Sequence, residues 1–322
     1  MELYPIFFLI LLALELAYFQ VADKLNIIDK PNRRSSHTMI TLRGGGIVFY
    51  FGAMLYLLLY GLDQPYFILS LTLISLISFL DDVRSVSAKL RLFMQFFCVA
   101  LLIYQWGIYD NISIAAILLV LILGVGVLNA YNFMDGLNGM TGGCNFVLFI
   151  TLIFIDLEVQ FIDDAFLYVM LFSLIIFNFF NFRTKAKCFA GDVGALALGL
   201  VVLYLVGTLI IKTSDWTYIL LLSVYGAETS LTIAHRILLR ENILVPHRKH
   251  AFQILANELE FKHLQVSIFY ACLQLIINIG LLTIGRTYPI PYFISINLLL
   301  FLTYILFMWK FFKLHVSSLE KQ

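Results

Sequence analysis

The sequence predicts an all-α polytopic membrane protein, a bundle of 10 to 11 transmembrane helices. Of its 322 residues, 61% are hydrophobic and only 13% are charged, against about 25% charged residues in an ordinary globular domain. The mean hydropathy is +0.94. Long apolar runs recur along the chain, and because hydrocarbon offers no water to unpaired backbone groups, each run that crosses a membrane must be helical.

Eleven apolar stretches are long enough, or nearly so, to cross a bilayer, which takes about 20 residues each. We therefore expect one integral-membrane domain over residues 1–322, with no room for a large soluble domain. The first stretch lacks the basic flank of a signal peptide, so we expect a retained anchor with a periplasmic N-terminus and a cytoplasmic C-terminus. The stretches are residues 3–22, 46–62, 66–80, 90–106, 112–131, 144–157, 165–182, 193–211, 217–235, 266–285 and 292–309.

The distribution of basic residues supports this threading. When alternate connections are assigned to one side, 19 of the 21 Lys and Arg residues fall on that side, and only Lys212 and Arg286 do not. The positive-inside rule predicts that this side is cytoplasmic. The net charge of +1 argues against a nucleic-acid-binding protein, which would carry a strongly basic face. The four cysteines lie far apart and indicate neither a disulfide framework nor a zinc site.

Four aspartates lie at the predicted cytoplasmic ends of helices. Asp81 and Asp82 end the third stretch, Asp135 follows the fifth, and Asp192 precedes the eighth. Charge at membrane depth is costly and usually functional, and adjacent carboxylates repel unless a cation is present. Oxygen ligands of this kind suit Mg²⁺, which binds one or two carboxylates together with water and phosphate. The alternative is that these residues only solvate helix ends, with their neighbouring glycines serving helix packing.

Two loops on the same side supply cations. The first combines basic residues with three glycines at 44–46 and is typical of an anion cradle. The last long loop places two histidines around two basic residues, where charge-assisted hydrogen bonds would hold phosphate. Its alternative reading is a patch for anionic lipid headgroups. The residues concerned are Arg33, Arg34, His37, Arg43, His247, Arg248, Lys249 and His250.

Five separated motifs in this order resemble the polyprenyl-phosphate N-acetylhexosamine-1-phosphate transferases of glycosyltransferase family 4. The resemblance runs from about residue 29 to residue 253, and helices over 266–309 are additional. The motifs are Arg33-Arg34-Ser35-Ser36-His37-Thr38 with Arg43-Gly44-Gly45-Gly46, Phe79-Leu80-Asp81-Asp82, Asn132-Phe133-Met134-Asp135-Gly136, Phe189-Ala190-Gly191-Asp192-Val193-Gly194, and the His247/His250 loop.

The resemblance implies transfer of a sugar 1-phosphate from a UDP-N-acetylhexosamine to undecaprenyl phosphate, with UMP released. Asp192, together with Asp81, would bind Mg²⁺, with Mn²⁺ as the alternative ion, and Asp81 and Asp82 would orient or deprotonate the lipid phosphate. Asn132 and Asp135 would contact the nucleotide sugar, while Phe189 would stack near the uracil. With the two basic loops included, the expected substrate-binding residues are Asn132, Asp135, Phe189, His247, Arg248, His250, Arg43, His37 and Arg91.

Two departures from the family pattern bear on the sugar and the pathway. Ala190 stands where the family usually has Met, so contacts near the uracil could differ. The branch that makes the first lipid intermediate of peptidoglycan has three consecutive histidines where this chain has His247-Arg248-Lys249-His250. The chain is therefore expected to resemble the bacterial inner-membrane enzymes that use N-acetylglucosamine or a related sugar to initiate O-antigen, teichoic acid or other surface polysaccharides.

Two other classes remain open from the sequence, a secondary transporter and a non-catalytic protein that binds lipid phosphate. Carriers bind near the midplane between repeated halves, and this chain shows no internal repeat. Glu228 could be a buried partner of Arg236 or part of the floor of the site. The sequence also leaves open a homodimer, and whether the lipid phosphate attacks directly or through a covalent aspartyl intermediate.

Overall fold

The computed structural model describes residues 4–29, 40–61, 63–110, 112–243, 245 and 247–320. Over these ranges the chain is mainly helical, with one short antiparallel ribbon of β1 (Ile28–Asp29) and β2 (Thr41–Leu42). The α-helices are α1 (Tyr4–Lys24), α2 (Ile47–Tyr60), α3 (Pro65–Val83), α4 (Ala88–Gln105), α5 (Ile114–Met134), α6 (Met140–Val159), α7 (Asp164–Asn181), α8 (Gly191–Thr213), α9 (Ser223–Leu238), α10 (Ala251–Asn257), α11 (His263–Gly280) and α12 (Pro289–Glu320).

The predicted fold class is confirmed, because a helix lies on each of the eleven apolar stretches. Ten helical segments of the described chain are long and apolar enough to cross a membrane, and one of them joins a 3₁₀ turn at Trp216–Leu222 to α9. The exception is α2, with 14 residues. At about 1.5 Å per residue it is only about 21 Å long, shorter than the roughly 30 Å of a bilayer's hydrocarbon core.

Four local features were not predicted. The helix α10 has seven residues and no long apolar run, so a search for membrane spans cannot find it. The helix α11 continues into a π-helical turn at Leu281–Gly285, and α12 has 32 residues and runs well past the predicted end at 309. The β1–β2 ribbon is too short to leave an alternating pattern in the sequence.

The helix α8 lies at the centre of the bundle, and glycines let its neighbours pack closely against it. A Cβ atom added at Gly46 would lie 2.5 Å from the Cα atom of Gly194, so the backbones of α2 and α8 touch where they cross. A Cβ atom at Gly199 would lie 3.0 Å from the Cβ atom of Tyr131 on α5. Small residues commonly allow such contact between membrane helices. The start of α8 is thereby fixed beside α2 and α5.

We call the end of the bundle where α2 and α8 begin and where α3 and α5 end the polar end. There, residues 42–46 pair with the segment that leads into α8. Leu42 forms a parallel bridge with Cys188, and the amides of Gly45 and Gly46 donate to the carbonyls of Phe189 (2.9 Å) and Ala190 (3.1 Å). Two segments about 145 residues apart in sequence are therefore joined, and each carries predicted site residues.

Candidate functional site

The structure brings Asp81, Asp82 and Asp192 together at the polar end with Arg43 and Arg91, and we call these five side chains the carboxylate cluster. Each comes from a different place in the chain. Asp81 and Asp82 belong to the last turn of α3, Asp192 to the first turn of α8, Arg91 to the first turn of α4, and Arg43 to the segment before α2.

Asp82 holds the start of α8. Its Oδ1 atom accepts from the amide of Asp192 at 2.9 Å and its Oδ2 atom from the amide of Val193 at 3.0 Å. These amides are among the first four of the helix, which have no partner within it. Gly191 has φ = +72°, and a Cβ atom there would lie 2.6 Å from Oδ2 of Asp82. Glycine thus permits both the backbone turn and the approach of the carboxylate.

Asp82 is also paired with a cation. The Nε atom of Arg43 lies 2.6 Å from Oδ1 of Asp82, and the Asp82 side chain is fully buried. The same guanidinium lies 3.5 Å from Oδ1 of Asp192 through its Nη2 atom. Tyr18 of α1 donates its hydroxyl to the carbonyl of Arg43 at 2.7 Å and so holds the segment that carries this arginine. Every oxygen of the Asp82 carboxylate is therefore bound within the protein.

Asp81 and Asp192 face each other beside Arg91. The Nη1 atom of Arg91 lies 2.8 Å from Oδ2 of Asp81 and 3.4 Å from Oδ2 of Asp192. The two carboxyl groups are within hydrogen-bonding reach of each other. Asp81 also accepts the amide of Val86 at 2.6 Å, and Asp192 accepts the side-chain amide of Asn132 at 3.0 Å. Unlike Asp82, both side chains are partly exposed, Asp81 by 10% and Asp192 by 17%.

The donor set of this cluster fits a hard divalent cation. Its three carboxylates face only two guanidinium groups, which leaves one negative charge in excess when all are ionised. Within the described ranges, no group of three or more His, Cys, Asp or Glu side chains is arranged to hold a metal. A pair of carboxylates is nevertheless what Mg²⁺ commonly takes from a protein, with water and phosphate completing its shell. Asp81 and Asp192 are the residues that could hold it.

Asp135 lies beside the cluster with a different environment. Its Oδ1 atom accepts the hydroxyl of Thr141 at 2.7 Å. Burial raises the pKa of Asp135 to about 6, and the nearby Asp82 carboxylate acts in the same direction, while the Thr141 hydrogen bond opposes both. The carboxyl group of Asp135 can therefore exchange a proton close to neutral pH.

The last predicted loop reaches the same region through α5. Phe133, the residue after Asn132, lies 6.2 Å from the ring of His247 and 6.0 Å from the ring of His250, measured between centroids. The two histidine rings are 4.9 Å apart. Burial, followed by the positive charges of neighbouring side chains, lowers the pKa of His247 to about 3. His247 is therefore a neutral ring at pH 7.

Residues 247–250, which we call the histidine loop, are anchored by Glu228, the residue whose role the sequence left open. Its carboxylate accepts the amide of Ala251 at 2.6 Å and the hydroxyl of Tyr270 at 2.9 Å, and it lies 3.6 Å from Nδ1 of His250. The pairing with Arg236 is wrong. Arg236 instead binds Glu241 at 3.1 Å and the backbone carbonyls of 242, 243 and 245.

The basic side chains of the histidine loop have partners inside the loop region. Arg248 lies 3.4 Å from Glu258, and Lys249 forms an ion pair with Glu241. The helix α10, which follows the loop directly, packs against α12, because Ala251 and Ile254 lie with Tyr304 and Met308 in a small apolar cluster. The C-terminal helix beyond the predicted motifs therefore positions one of them.

The remaining predicted site residues differ in whether they reach the carboxylate cluster. The amides of Gly45 and Gly46 bind the carbonyls of Phe189 and Ala190, so these two amides are not free for the predicted anion cradle, and only the Arg43 side chain reaches the cluster. Phe189 lies half-buried next to this segment. His37 falls outside the described residues. Sequence reasoning missed Tyr18 and Thr141, since neither lies in a recognisable motif.

A family model and several curated relatives all assign the chain to the same family. The model of glycosyl transferase family 4 matches residues 65–210. A protein of Bacillus subtilis strain 168, named probable undecaprenyl-phosphate N-acetylglucosaminyl 1-phosphate transferase, is 28% identical over 257 residues, covering 72% of this chain and 70% of that protein.

Two further relatives cover similar shares. The undecaprenyl-phosphate alpha-N-acetylglucosaminyl 1-phosphate transferase of Thermotoga maritima is 27% identical over 247 residues, which is 74% of this chain and 76% of the relative. The phospho-N-acetylmuramoyl-pentapeptide-transferase of Enterococcus faecalis is 30% identical over 249 residues, which is 68% of this chain and 76% of the relative.

Proposed function

The chain belongs to glycosyl transferase family 4, and we propose that it transfers N-acetylhexosamine 1-phosphate from a UDP-sugar to undecaprenyl phosphate. The products would be UMP and an undecaprenyl diphospho-sugar. The names of its relatives support this reaction class, since they include transferases of N-acetylglucosaminyl 1-phosphate to undecaprenyl phosphate. N-Acetylglucosamine is the donor sugar we propose, and the product would start a cell-surface polysaccharide.

The observation that carries the proposal is the meeting of Asp81, Asp82 and Asp192 with Arg43 and Arg91 at one end of a membrane bundle. Secondary transporters commonly bind their substrates near the membrane midplane, whereas this cluster lies at helix ends. Buried carboxylates that share arginines at the membrane surface suit a phosphate-transfer reaction, because catalysis of such reactions depends mostly on positioning and charge neutralisation.

We assign a role to each carboxylate from its exposure and from the hydrogen bonds that its oxygens already accept. Bound Mg²⁺ would neutralise charge on the diphosphate. Asp81 and Asp192, whose carboxylates are partly exposed, would hold it. The Asp82 side chain is fully buried and each of its oxygens already accepts from the protein, so in this scheme it fixes the start of α8 and thereby the position of Asp192. This differs from the role that the family resemblance implied for Asp82, which was to orient or deprotonate the lipid phosphate together with Asp81.

The reaction needs no net proton transfer from the protein. An oxygen of the lipid phosphate forms a bond to the β-phosphorus of the UDP-sugar, and the bond from that phosphorus to the bridging oxygen breaks. UMP leaves with the electron pair and the negative charge. Arg91 stands beside Asp81 and Asp192 to balance this charge, and neutral His247 would donate a hydrogen bond to a phosphate oxygen.

We place the polar end at the cytoplasmic face of the bacterial inner membrane. The support is the side preference of basic residues, 19 of 21 on the side of the carboxylate cluster, together with the positive-inside rule. A UDP-sugar would then reach the site from the cytosol and undecaprenyl phosphate from the surrounding lipid.

The test is a transfer assay with purified protein, Mg²⁺, undecaprenyl phosphate and a panel of radiolabelled UDP-N-acetylhexosamines. Lipid-linked label and released UMP are expected with at least one donor, and added UMP should regenerate the UDP-sugar from loaded lipid. Absence of turnover with every donor would leave the carrier and the non-catalytic lipid-phosphate protein as the surviving hypotheses.

Within that assay, Asp192→Asn should lower the rate on the order of 10³-fold, because several kcal/mol of metal-dependent stabilisation would be lost and each 1.4 kcal/mol is about tenfold. Asp110→Asn is the matched control, since Asp110 is exposed beyond the other end of α4. An Asp192→Asn variant with the rate of the control would contradict the proposed role.

A further inference from the structure

A cavity with an aromatic and acidic lining lies at the opposite end of the bundle from the carboxylate cluster. Its volume is about 400 Å³, within the range of about 300 to 1,000 Å³ that is usual for ligand sites. The walls come from the C-terminal end of α2, the first turns of α3 and α7 with the connections before them, the end of α4 and the C-terminal half of α8. It uses none of the residues assigned above to phosphate transfer.

The cavity exists because α2 stops short. The helix begins at the polar end and has only 14 residues, so at about 1.5 Å per residue it leaves roughly 9 Å of the bilayer's hydrocarbon thickness uncovered. The cavity occupies the space at its C-terminal end, next to Tyr56, Leu57, Tyr60 and Gly61.

Aromatic rings form much of the wall. Seven of the sixteen lining residues are aromatic. Phe67 and Tyr204 stack at 4.1 Å between centroids, and Tyr56 and Tyr60 stack at 5.0 Å. Phe166 joins the two pairs, because its ring lies 5.1 Å from Tyr56 and 6.2 Å from Phe67. A ring face that is open to the cavity attracts an organic cation.

Polar groups of the wall are held in place by the ends of the helices. The side-chain oxygen of Gln105 accepts the amides of Tyr66 (3.0 Å) and Phe67 (3.4 Å) at the start of α3. The indole nitrogen of Trp106 donates to Thr208 at 3.2 Å. Asp163 accepts the amide of Ala165 at 2.8 Å. The wall is therefore fixed before any ligand binds.

The charge of the lining has one sign. Two lining residues are aspartates, Asp63 and Asp163, and none of the sixteen is Lys, Arg or His. Asp163 also shares a hydrogen bond with the hydroxyl of Tyr56, which links the acidic mouth to the aromatic wall. Phosphates and nucleotides would be repelled here. The two substrates of the proposed reaction are accordingly poor candidates for this cavity.

From the aromatic wall, the acidic mouth and the absence of basic lining residues, we propose that this cavity binds an ammonium group carried on an organic body. The aromatic faces would contact the cation and its apolar substituents, and Asp63 and Asp163 would balance its charge. The ammonium group could belong to a soluble amine or to the headgroup of an aminophospholipid, and the experiment below separates these two sources.

The full chain is reconstituted in nanodiscs of phosphatidylglycerol, which carries no amine. Of the three tryptophans, Trp216 and Trp309 are replaced by Phe, so emission reports on Trp106 in the cavity wall. The probe is benzyltrimethylammonium, and its uncharged isostere neopentylbenzene is the comparison ligand.

We expect a saturable change in Trp106 emission with the ammonium probe and at least tenfold weaker binding of the isostere. Asp63→Asn combined with Asp163→Asn should weaken binding of the probe at least tenfold, and Asn still caps α7. Asp110→Asn, an acidic residue of the same end outside the lining, should leave binding unchanged.

No saturable change, or equal binding of the charged and uncharged ligands, would overturn the proposal. Tyr204→Leu removes a stacked wall ring and gives a second variant that should weaken the probe if the folded aspartate variant is not obtained. Repeating the titration with phosphatidylethanolamine in the nanodisc identifies the source. A lower apparent affinity for the probe indicates a lipid headgroup as the natural ligand, and an unchanged affinity indicates a soluble amine.

Discussion

Asp82 should matter more for the stability of the fold than for proton transfer. Its carboxylate accepts two amides at the start of α8 and the Nε atom of Arg43, and the side chain is fully buried. In Asp82→Ala the two amides lose their cap, which costs about 0.5 to 2 kcal/mol. Arg43 loses its closest partner. Breaking a fully buried ion pair costs about 3 to 5 kcal/mol, but the Arg43 side chain is 32% exposed and keeps a contact with Asp192, so this contribution is smaller. We expect a total of about 3 kcal/mol.

The assay is thermal unfolding of the purified protein in one detergent, together with the rate of sugar transfer. Asp82→Asn should lie between wild type and Asp82→Ala, since the Asn side chain keeps one acceptor oxygen but no charge. The matched control is Ser113→Ala, which removes an uncharged cap of α5, where Ser113 accepts the amide of Ala116 at 3.2 Å. That variant should lose only about 1 kcal/mol.

The reasoning would be refuted by an Asp82→Ala variant as stable as wild type. If that variant also lost one limb of the rate profile against pH, Asp82 would be acting as a base. A stability loss no larger than that of Ser113→Ala would mean that the Arg43 ion pair adds nothing to the fold.

Three further predictions concern neighbouring groups. The pKa of Asp135 is raised to about 6 above an unfolded value of about 4, so its contribution to stability falls as pH rises through this interval. Asp135→Asn should remove this fall. A profile of melting temperature against pH that is the same in the variant and the wild type would contradict the prediction. The pKa of His247 is lowered to about 3, so the ring stays neutral from pH 5 to pH 8, and the pH profile of His247→Gln should keep its shape even if its rate is lower. Met308→Ala should loosen α10, because Met308 packs with Ala251 and Ile254 of that helix. Faster amide hydrogen exchange over 251–257 is expected, with exchange in α8 as the internal control.

The sequence predicts the helices well because membrane insertion depends on hydropathy, which can be summed along the chain. About 20 apolar residues are needed per crossing, and the basic residues fix which ends lie together. The gathering of Asp81, Asp82 and Asp192 at one end follows from that threading. The helix α10 cannot be predicted in this way, because seven residues are too few to give the hydropathy signal of a membrane span. Its position also depends on Tyr304 and Met308, which lie some 50 residues later in the chain.

Individual roles are harder to predict because they depend on partners that are distant in sequence. Glu228 binds the amide of Ala251, 23 residues away, and no pattern distinguishes this from a pair with Arg236 at a helical spacing. The glycine motif predicts that the amides of Gly45 and Gly46 are available to an anion, whereas in the structure they donate to the carbonyls of Phe189 and Ala190. Motifs indicate which residue types meet, whereas hydrogen-bond partners determine which atoms remain free.

The carboxylate cluster has a property that limits how any single substitution in it can be interpreted. Arg43 is shared between Asp82 and Asp192, and Arg91 between Asp81 and Asp192. Removing one arginine therefore leaves two carboxylates undercompensated, and removing one aspartate leaves an arginine with an altered partner. Groups linked in this way have effects that do not add, so a loss of activity alone cannot distinguish a residue that touches substrate from one that holds a neighbour. Asp82 and Asp192 are separated only when stability and rate are measured on the same variants, since the geometry assigns the larger stability effect to Asp82 and the larger rate effect to Asp192.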